Sequence, residues 1–379
     1  MHKKLFLLFL AMLMLLPLFS CASEPAESIA PSGSENVLRQ SDSPSPKDEP
    51  FVEADSAPVK IEFEEFYLQS ITAYLNSPSV FGDKALASSS NTYRGETRLN
   101  CMEVDLNTRE ETELPFYAFD PRADEENYYW TEYIPDSESL NLNATRKANG
   151  EKRVLYTVPD GYDMIPRLAY GDGYLVWIEY PYQKEEITQY RIHALDCKTG
   201  ENFLVDEVDY TSGSFFCPVI NNGYVAYADK SQDGYVLKGY DLHNRTLALE
   251  LSVKDAPMAE AFDGSFMVWD TDATGSRNLQ VYRVKDQTTR VIDTNTAEVD
   301  IYRSRYIIYC KSTDIYVYDM GTDQTVFTTE TEKPEKDGKR YTQWFLMDKS
   351  AGRLVINGYV KGVPGVYSLA VLTFTEADG

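Results

Sequence analysis

Two short patterns alternate along this chain with a period of 41 to 50 residues, and that period limits the fold more than any single residue does. The first is a turn followed by an aromatic, β-branched run: Gly171-Asp172-Gly173 before Tyr174 to Tyr180, Asn221-Asn222-Gly223 before Tyr224 to Tyr227, and Phe262-Asp263-Gly264 before Ser265 to Trp269. Weaker copies begin near Gly82-Asp83-Lys84, Glu125-Glu126-Asn127, Tyr302 to Arg305 and Ala351-Gly352-Arg353. With Lys84, Asn127, Gly173, Gly223, Gly264, Arg305 and Arg353 as anchors, the separations are 43, 46, 50, 41, 41 and 48 residues. A four-stranded propeller blade takes about 40 to 50 residues. Each anchor reads as a tight turn between two strands, where Gly or Asn supplies a positive φ. The Lys and Arg anchors fit that role less well.

The second pattern ends another strand and turns again, as at Val104-Asp105-Leu106-Asn107-Thr108, Leu195-Asp196-Cys197-Lys198-Thr199-Gly200, Tyr240-Asp241-Leu242-His243-Asn244, Tyr282-Arg283-Val284-Lys285-Asp286 and Tyr318-Asp319-Met320-Gly321-Thr322. A further strand follows in four of these cases: Phe203 to Val208, Leu247 to Val253, Arg290 to Asp293 and Val326 to Thr329. Four strands per unit is the result. The patterns resemble the bacterial β-propeller repeats of TolB-like and quinoprotein-like proteins, over about Gly82 to Phe374. That resemblance implies architecture and leaves function open, because the same blade hosts enzymes, scaffolds and binding modules. Ala194 to Glu201 looks most like the quinoprotein blade motif, but the tryptophan expected shortly after it is missing. No quinone or other cofactor is therefore expected.

The expected fold is all-β, a seven-bladed β-propeller, with six or eight blades as the alternative counts. The last unit supplies strands at Tyr341 to Met347, Leu354 to Val360 and Val366 to Phe374, and then lacks a fourth. Val59-Lys60-Ile61-Glu62-Phe63-Glu64 alternates apolar and polar as a half-buried strand should, and the first unit offers it no partner. It is expected to fill the gap, so that both ends of the domain share one blade and no edge is left exposed.

The segment before that strand reads as an address. His2, Lys3 and Lys4 precede an unbroken apolar run from Leu5 to Leu16, too short and too N-terminal for a permanent membrane span. Leu18-Phe19-Ser20-Cys21 resembles the bacterial lipobox, which implies a cleaved signal over 1–20 and lipidation of Cys21. One acyl chain anchors only marginally and two anchor stably. Residues 21–58 are dominated by Ser, Pro, Glu, Asp and Ala, too poor in large apolar groups to offset the ordering cost, and read as a disordered tether. The propeller domain then covers 59–379.

Formal net charge is -24 with a pI near 4.5, so attraction to a nucleic-acid backbone is excluded as a function. Aromatics make up 13% of the chain, 28 of them tyrosines, a composition that suits pleated, half-buried surfaces. Cys101, Cys197, Cys217 and Cys310 are far apart, without a CxxC pair or clustered histidines, so no metal site is expected; mostly free, buried thiols are. His193 and His243 each fall near a strand end and read as solvent-facing polar residues. No GxSxG, HExxH, P-loop or GxGxxG stands in a suitable context, and no catalytic residue is assigned. Asp83, Asp172 and Asp263 recur at equivalent turns, as residues that bond their own backbone would. Trp177 and Trp269 read as core between blades, although their one-residue offset from the anchors would put them on opposite sheet faces if the turns were equally long; Trp130 and Trp344 are less constrained.

These readings converge on a lipid-anchored protein at the outer face of the bacterial cytoplasmic membrane, or facing a periplasm. Its expected role is protein binding or scaffolding, with the membrane reached through Cys21 and an envelope protein as partner. The alternative is an envelope carbohydrate-binding protein or polysaccharide-active enzyme, with a glycan as partner.

Overall fold

The computed structural model describes residues 59–66, 68, 74–93, 96–118, 121–134, 139–164, 167–181, 189–209, 219–273, 276–311, 314–329, 341–350, 352–361 and 367–376. All lie in the compact unit Pro50–Gly379. Cys21, Cys217 and the signal and tether segments lie outside the described residues.

The elements are strands arranged in seven sheets. β1 (Val59–Phe66) is set apart from its sequence neighbours. Blade 1 is β2 (Tyr74–Phe81), β3 (Lys84–Tyr93), β4 (Glu96–Asp105) and β5 (Glu111–Glu113). Blade 2 is β6 (Arg122–Ala123), β7 (Asn127–Ile134), β8 (Ser139–Arg146) and β9 (Lys152–Thr157). Blade 3 has an interrupted inner strand, β10 (Tyr162–Met164) and β11 (Ala169–Gly171), then β12 (Tyr174–Pro181), β13 (Tyr190–Asp196) and β14 (Asn202–Val208). Blade 4 is β15 (Ile220–Asn221), β16 (Tyr224–Ser231), β17 (Gly234–Asp241) and β18 (Thr246–Val253). Blade 5 is β19 (Pro257–Phe262), β20 (Phe266–Ala273), β21 (Ser276–Arg283) and β22 (Thr288–Thr294). Blade 6 is β23 (Thr296–Tyr302), β24 (Tyr306–Lys311), β25 (Asp314–Asp319) and β26 (Gln324–Thr328). Blade 7 is β27 (Tyr341–Ser350), β28 (Arg353–Lys361) and β29 (Tyr367–Glu376), completed on its outer edge by β1.

That last pairing fulfils the expectation for Val59 to Glu64. β1 runs antiparallel to β29 from Val59 opposite Glu376 to Phe66 opposite Leu369, and Val59, Ile61 and Phe63 pack on the core between blades 6 and 7. The inner strands of successive blades touch all the way round, including β27 against β2. The ring closes.

All seven anchors fall at the turn between the first and second strands of a blade. Where a Gly leads, the left-handed conformation sits on it or beside it: Asp172 at φ 50° with Gly173 at 83°, Asn222 at 50° with Gly223 at 76°. Lys84 and Arg353 are the first strand residues after the turn and Arg305 is the last residue of its turn, and the positive φ lies just before them, on Gly82, on Arg303 and Ser304, and on Gly352. Their charge has a separate use. Lys84 reaches Asp105 at 2.8 Å and Arg305 reaches Asp319 at 2.7 Å, each binding the aspartate of the second pattern in its own blade, while Arg353 crosses to Asp83 of blade 1.

The two patterns meet in space. In blades 1 to 6 the residue after the third strand donates its backbone N–H to a carbonyl of the first turn, Leu106 to Asp83, Lys147 to Glu126, Cys197 to Gly173, Leu242 to Gly223, Val284 to Ser265 and Met320 to Arg305, and in blade 7 Phe374, within β29, donates to Gly352, all at 2.7 to 3.0 Å. Aspartates 105, 196 and 241 also accept backbone N–H groups two and three residues on, at 2.8 to 3.2 Å. One end of the ring, the turn face, is thus braced seven times over. β1 enters the ring there, since Val59 pairs with Glu376 at that end.

Seven hydrophobic clusters fill the seven interfaces between blades. The fourth residue of the second strand is aromatic in five consecutive blades: Trp130, Trp177, Tyr227, Trp269 and Tyr309. Each packs toward the preceding blade, and burying such a ring removes about 150–250 Å² from water. The offset between Trp177 and Trp269 vanishes because β20 begins two residues after its anchor and β12 one. Unequal turn length keeps the two indoles on the same side of their sheets.

Candidate functional site: the inner edge of the ring

The inner strands expose one edge to the ring axis, and there the described residues carry buried polar groups: Ser79, Arg122, Asn221, Glu260 and Asp300, each 2–6% exposed. A side chain this deep must be paired to offset its lost hydration. Asn221 of blade 4 donates its amide to Asp300 of blade 6 at 3.2 Å, with blade 5 lying between them in sequence. Groups of non-adjacent blades meet most directly at the inner edges of their sheets. Asp300 also accepts the backbone N–H of Ile301 at 2.8 Å. Ser79 of blade 1 donates its hydroxyl to the carbonyl of Pro121, beside blade 2, at 2.7 Å, and Arg122 donates Nη1 to the same carbonyl at 3.1 Å.

Two further clusters lie between blades. In blade 5 burial pushes the carboxyl of Asp270 up to about 7, against the pull of Arg277, with Glu260 and Glu298 adding to the rise. A carboxyl poised near neutrality is what proton-transfer chemistry needs. This one is 1% exposed, in the wedge between blades 5 and 6. In blade 3, burial of Glu179 raises its carboxyl, but His193, Trp177 and Tyr156 outweigh that and hold it below the ordinary range. Trp177 Nε1 donates to Glu179 Oε1 at 3.0 Å, and His193 Nε2 lies 3.4 Å from Oε2, an ion-pair distance. The His193 ring stacks on Trp177, with centroids 5.5 Å apart, and packs against Tyr156 of blade 2. His193 is therefore an interior group instead of the surface residue its sequence context suggests. His243 is exposed in its turn as expected.

Of the three recurring turn aspartates only Asp263 bonds its own turn's backbone as expected, while Asp83 pairs with the Arg353 side chain. Asp263 accepts from Ser265 and Phe266 at 2.9 and 2.8 Å, and Asp172 accepts the N–H of Gly223 in the next blade at 2.6 Å. Cys101, Cys197 and Cys310 are free thiols, and burial pushes Cys197 up to about 12. Among the described residues no group of three or more His, Cys, Asp or Glu could hold a metal ion. Sequence reasoning missed the inner-edge set. Its members sit one per strand, without a shared motif, and only ring closure gathers them.

No protein-family model matches the chain, and no curated protein matches it by sequence. By structure it is similar to an oligogalacturonate lyase in complex with manganese, at 17% identity and TM-score 0.51 over 84% of this chain and 99% of that one. It is also similar to the β-propeller domain of the Trilobed protease from Pyrococcus furiosus, at 10% identity and TM-score 0.57 over 81% and 96% of the two chains. An acylaminoacyl peptidase from Pyrococcus horikoshii gives TM-score 0.55 at 10% identity, over 83% of this chain and 53% of that one, so this chain spans about half its length. These likenesses show the β-propeller fold. The protease propeller is described as having an open velcro topology; here β1 latches the ring.

Proposed function

We propose that this protein is an extracytoplasmic β-propeller, anchored to the membrane through a lipid on Cys21, that binds an envelope protein through the face opposite its braced turns. The contrast between the two faces carries this reading. On the turn face seven backbone bonds fix short, similar turns. On the other face the connections differ widely in length, from 232–233 between β16 and β17 to 182–189 between β12 and β13, 209–219 between β14 and β15 and 329–340 between β26 and β27. Variable connections on a rigid frame are where propellers and other scaffolds place recognition. The chain from Cys21 joins the ring at the turn face, which leaves the opposite face clear of the tether's attachment.

The test is site-specific photo-crosslinking in cells. A crosslinking residue at Asp233, on the variable face, should capture one discrete protein, and the same group at Thr108, on the turn face, should capture none. Capture from Thr108 alone, or from neither position, would overturn the reading. A glycan array and a panel of chromogenic glycosides should stay silent; a specific signal in either would favour action on polysaccharide instead.

A further inference from the structure

Arg122 is 2% exposed, yet its partner is the carbonyl of Pro121, the residue just before it, and its Nε is buried without a partner. No carboxylate among the described residues pairs with it. The comparison within the ring is Arg305, also buried, which Asp319 grips through Nε at 2.7 Å and through Nη2 at 2.8 Å. A guanidinium remains charged at any pH the fold survives. Burying that charge alone is strongly unfavourable, and the usual remedy is an anion on its fork of donors.

The surroundings favour an external anion. Arg122 lies on the inner strand of blade 2, and its neighbour Ala123 packs toward blade 1, so strand alternation turns Arg122 toward blade 3. Blade 3 has the interrupted inner strand, β10 and β11. Ser79 donates to the carbonyl that also accepts from Nη1. That carbonyl is held in place, and it holds the guanidinium in turn.

We propose that Arg122 is the receptor of a binding site at the inner edge of blades 2 and 3 for a monoanionic oxyanion, specifically a carboxylate, whose two oxygens match the planar fork. The site is separate from the variable face and stands or falls independently of what that face binds.

The test uses the full chain in low-salt buffer, with sodium acetate as probe, inorganic phosphate as the second anion and sodium chloride as the ionic-strength control. Acetate should raise the melting temperature saturably, by about 4 °C at roughly a hundred times its Kd, beyond any effect of chloride. In R122M the acetate response should vanish. R122M should also melt no lower than the wild type in chloride, because it removes an uncompensated charge from the interior. A lower melting temperature with the acetate response intact would assign Arg122 a structural role and overturn the site, as would a wild type that responds to acetate and chloride alike. A response to phosphate with none to acetate would overturn the carboxylate assignment. Should R122M fail to fold, NMR of the arginine Nε–H groups in the wild type decides: one resonance should move with acetate and be missing from R122K, and no movement overturns the proposal.

Discussion

Asp270 is a residue whose charge the fold works against. Its carboxyl is raised to about 7 chiefly by burial, whereas in the unfolded chain it titrates near the ordinary 3.8. A group raised in the folded state contributes its stability fully below the unfolded value. That contribution is lost as pH climbs toward 7 and stays lost above it. Between pH 5 and 8 the wild type should therefore lose about 3 kcal/mol relative to D270N, at 1.36 kcal/mol per unit up to the folded value. Urea denaturation of both proteins at the two pH values measures this. Parallel profiles would mean that Asp270 is ionised in the folded protein throughout. The same physics explains why Arg305 needs Asp319, 3% exposed, as its partner: without a bidentate carboxylate, a cation at 6% exposure would be stranded.

Among the elements, β1 has the largest leverage. It supplies the outer strand of blade 7, eight residues paired with β29, and three apolar side chains to the cluster between blades 6 and 7. Its removal leaves β29 as an open edge and uncovers that cluster. Deleting Val59 to Leu68 should lower the melting temperature by about 10 °C or more, from lost strand bonds and apolar burial in a ring held by side-to-side packing. Calorimetry on the truncated protein checks it, and an unaltered melting temperature would show that the latch is dispensable. The outer strands carry a second regularity: in blades 2 to 6 the pairing of third and fourth strands shifts register once, after Leu142, Ile192, Gly239, Leu279 and Val317. A bulge twists the outermost strand and spoils its edge as a template for another chain.

For the whole molecule, the address is the testable claim. Changing Cys21 to Ser should release the protein into the medium or leave its signal unprocessed, read by fractionation and the mass of the mature chain. Unchanged membrane association would refute the anchor. The ring itself explains what was legible beforehand. Turn chemistry and period-two alternation act over a few residues, so the anchors, the seven units and the strand at Val59 could be read directly. The equivalence of Trp177 and Trp269 could not, because one extra turn residue before β20 disguises it. The interior place of His193 was hidden as well, since it depends on Tyr156 from another blade.

Sequence alone determined the repeat, the all-β architecture and the closure of blade 7, since each rests on local conformational preference repeated until it is unambiguous. Tertiary structure alone decided which polar side chains meet at the inner edge. Asn221 and Asp300 are 79 residues apart, and Arg122 stands out only once closure buries it with no carboxylate partner among the described residues. Burial and partnership belong to the closed ring, because they depend on what seven blades exclude and leave unpaired together.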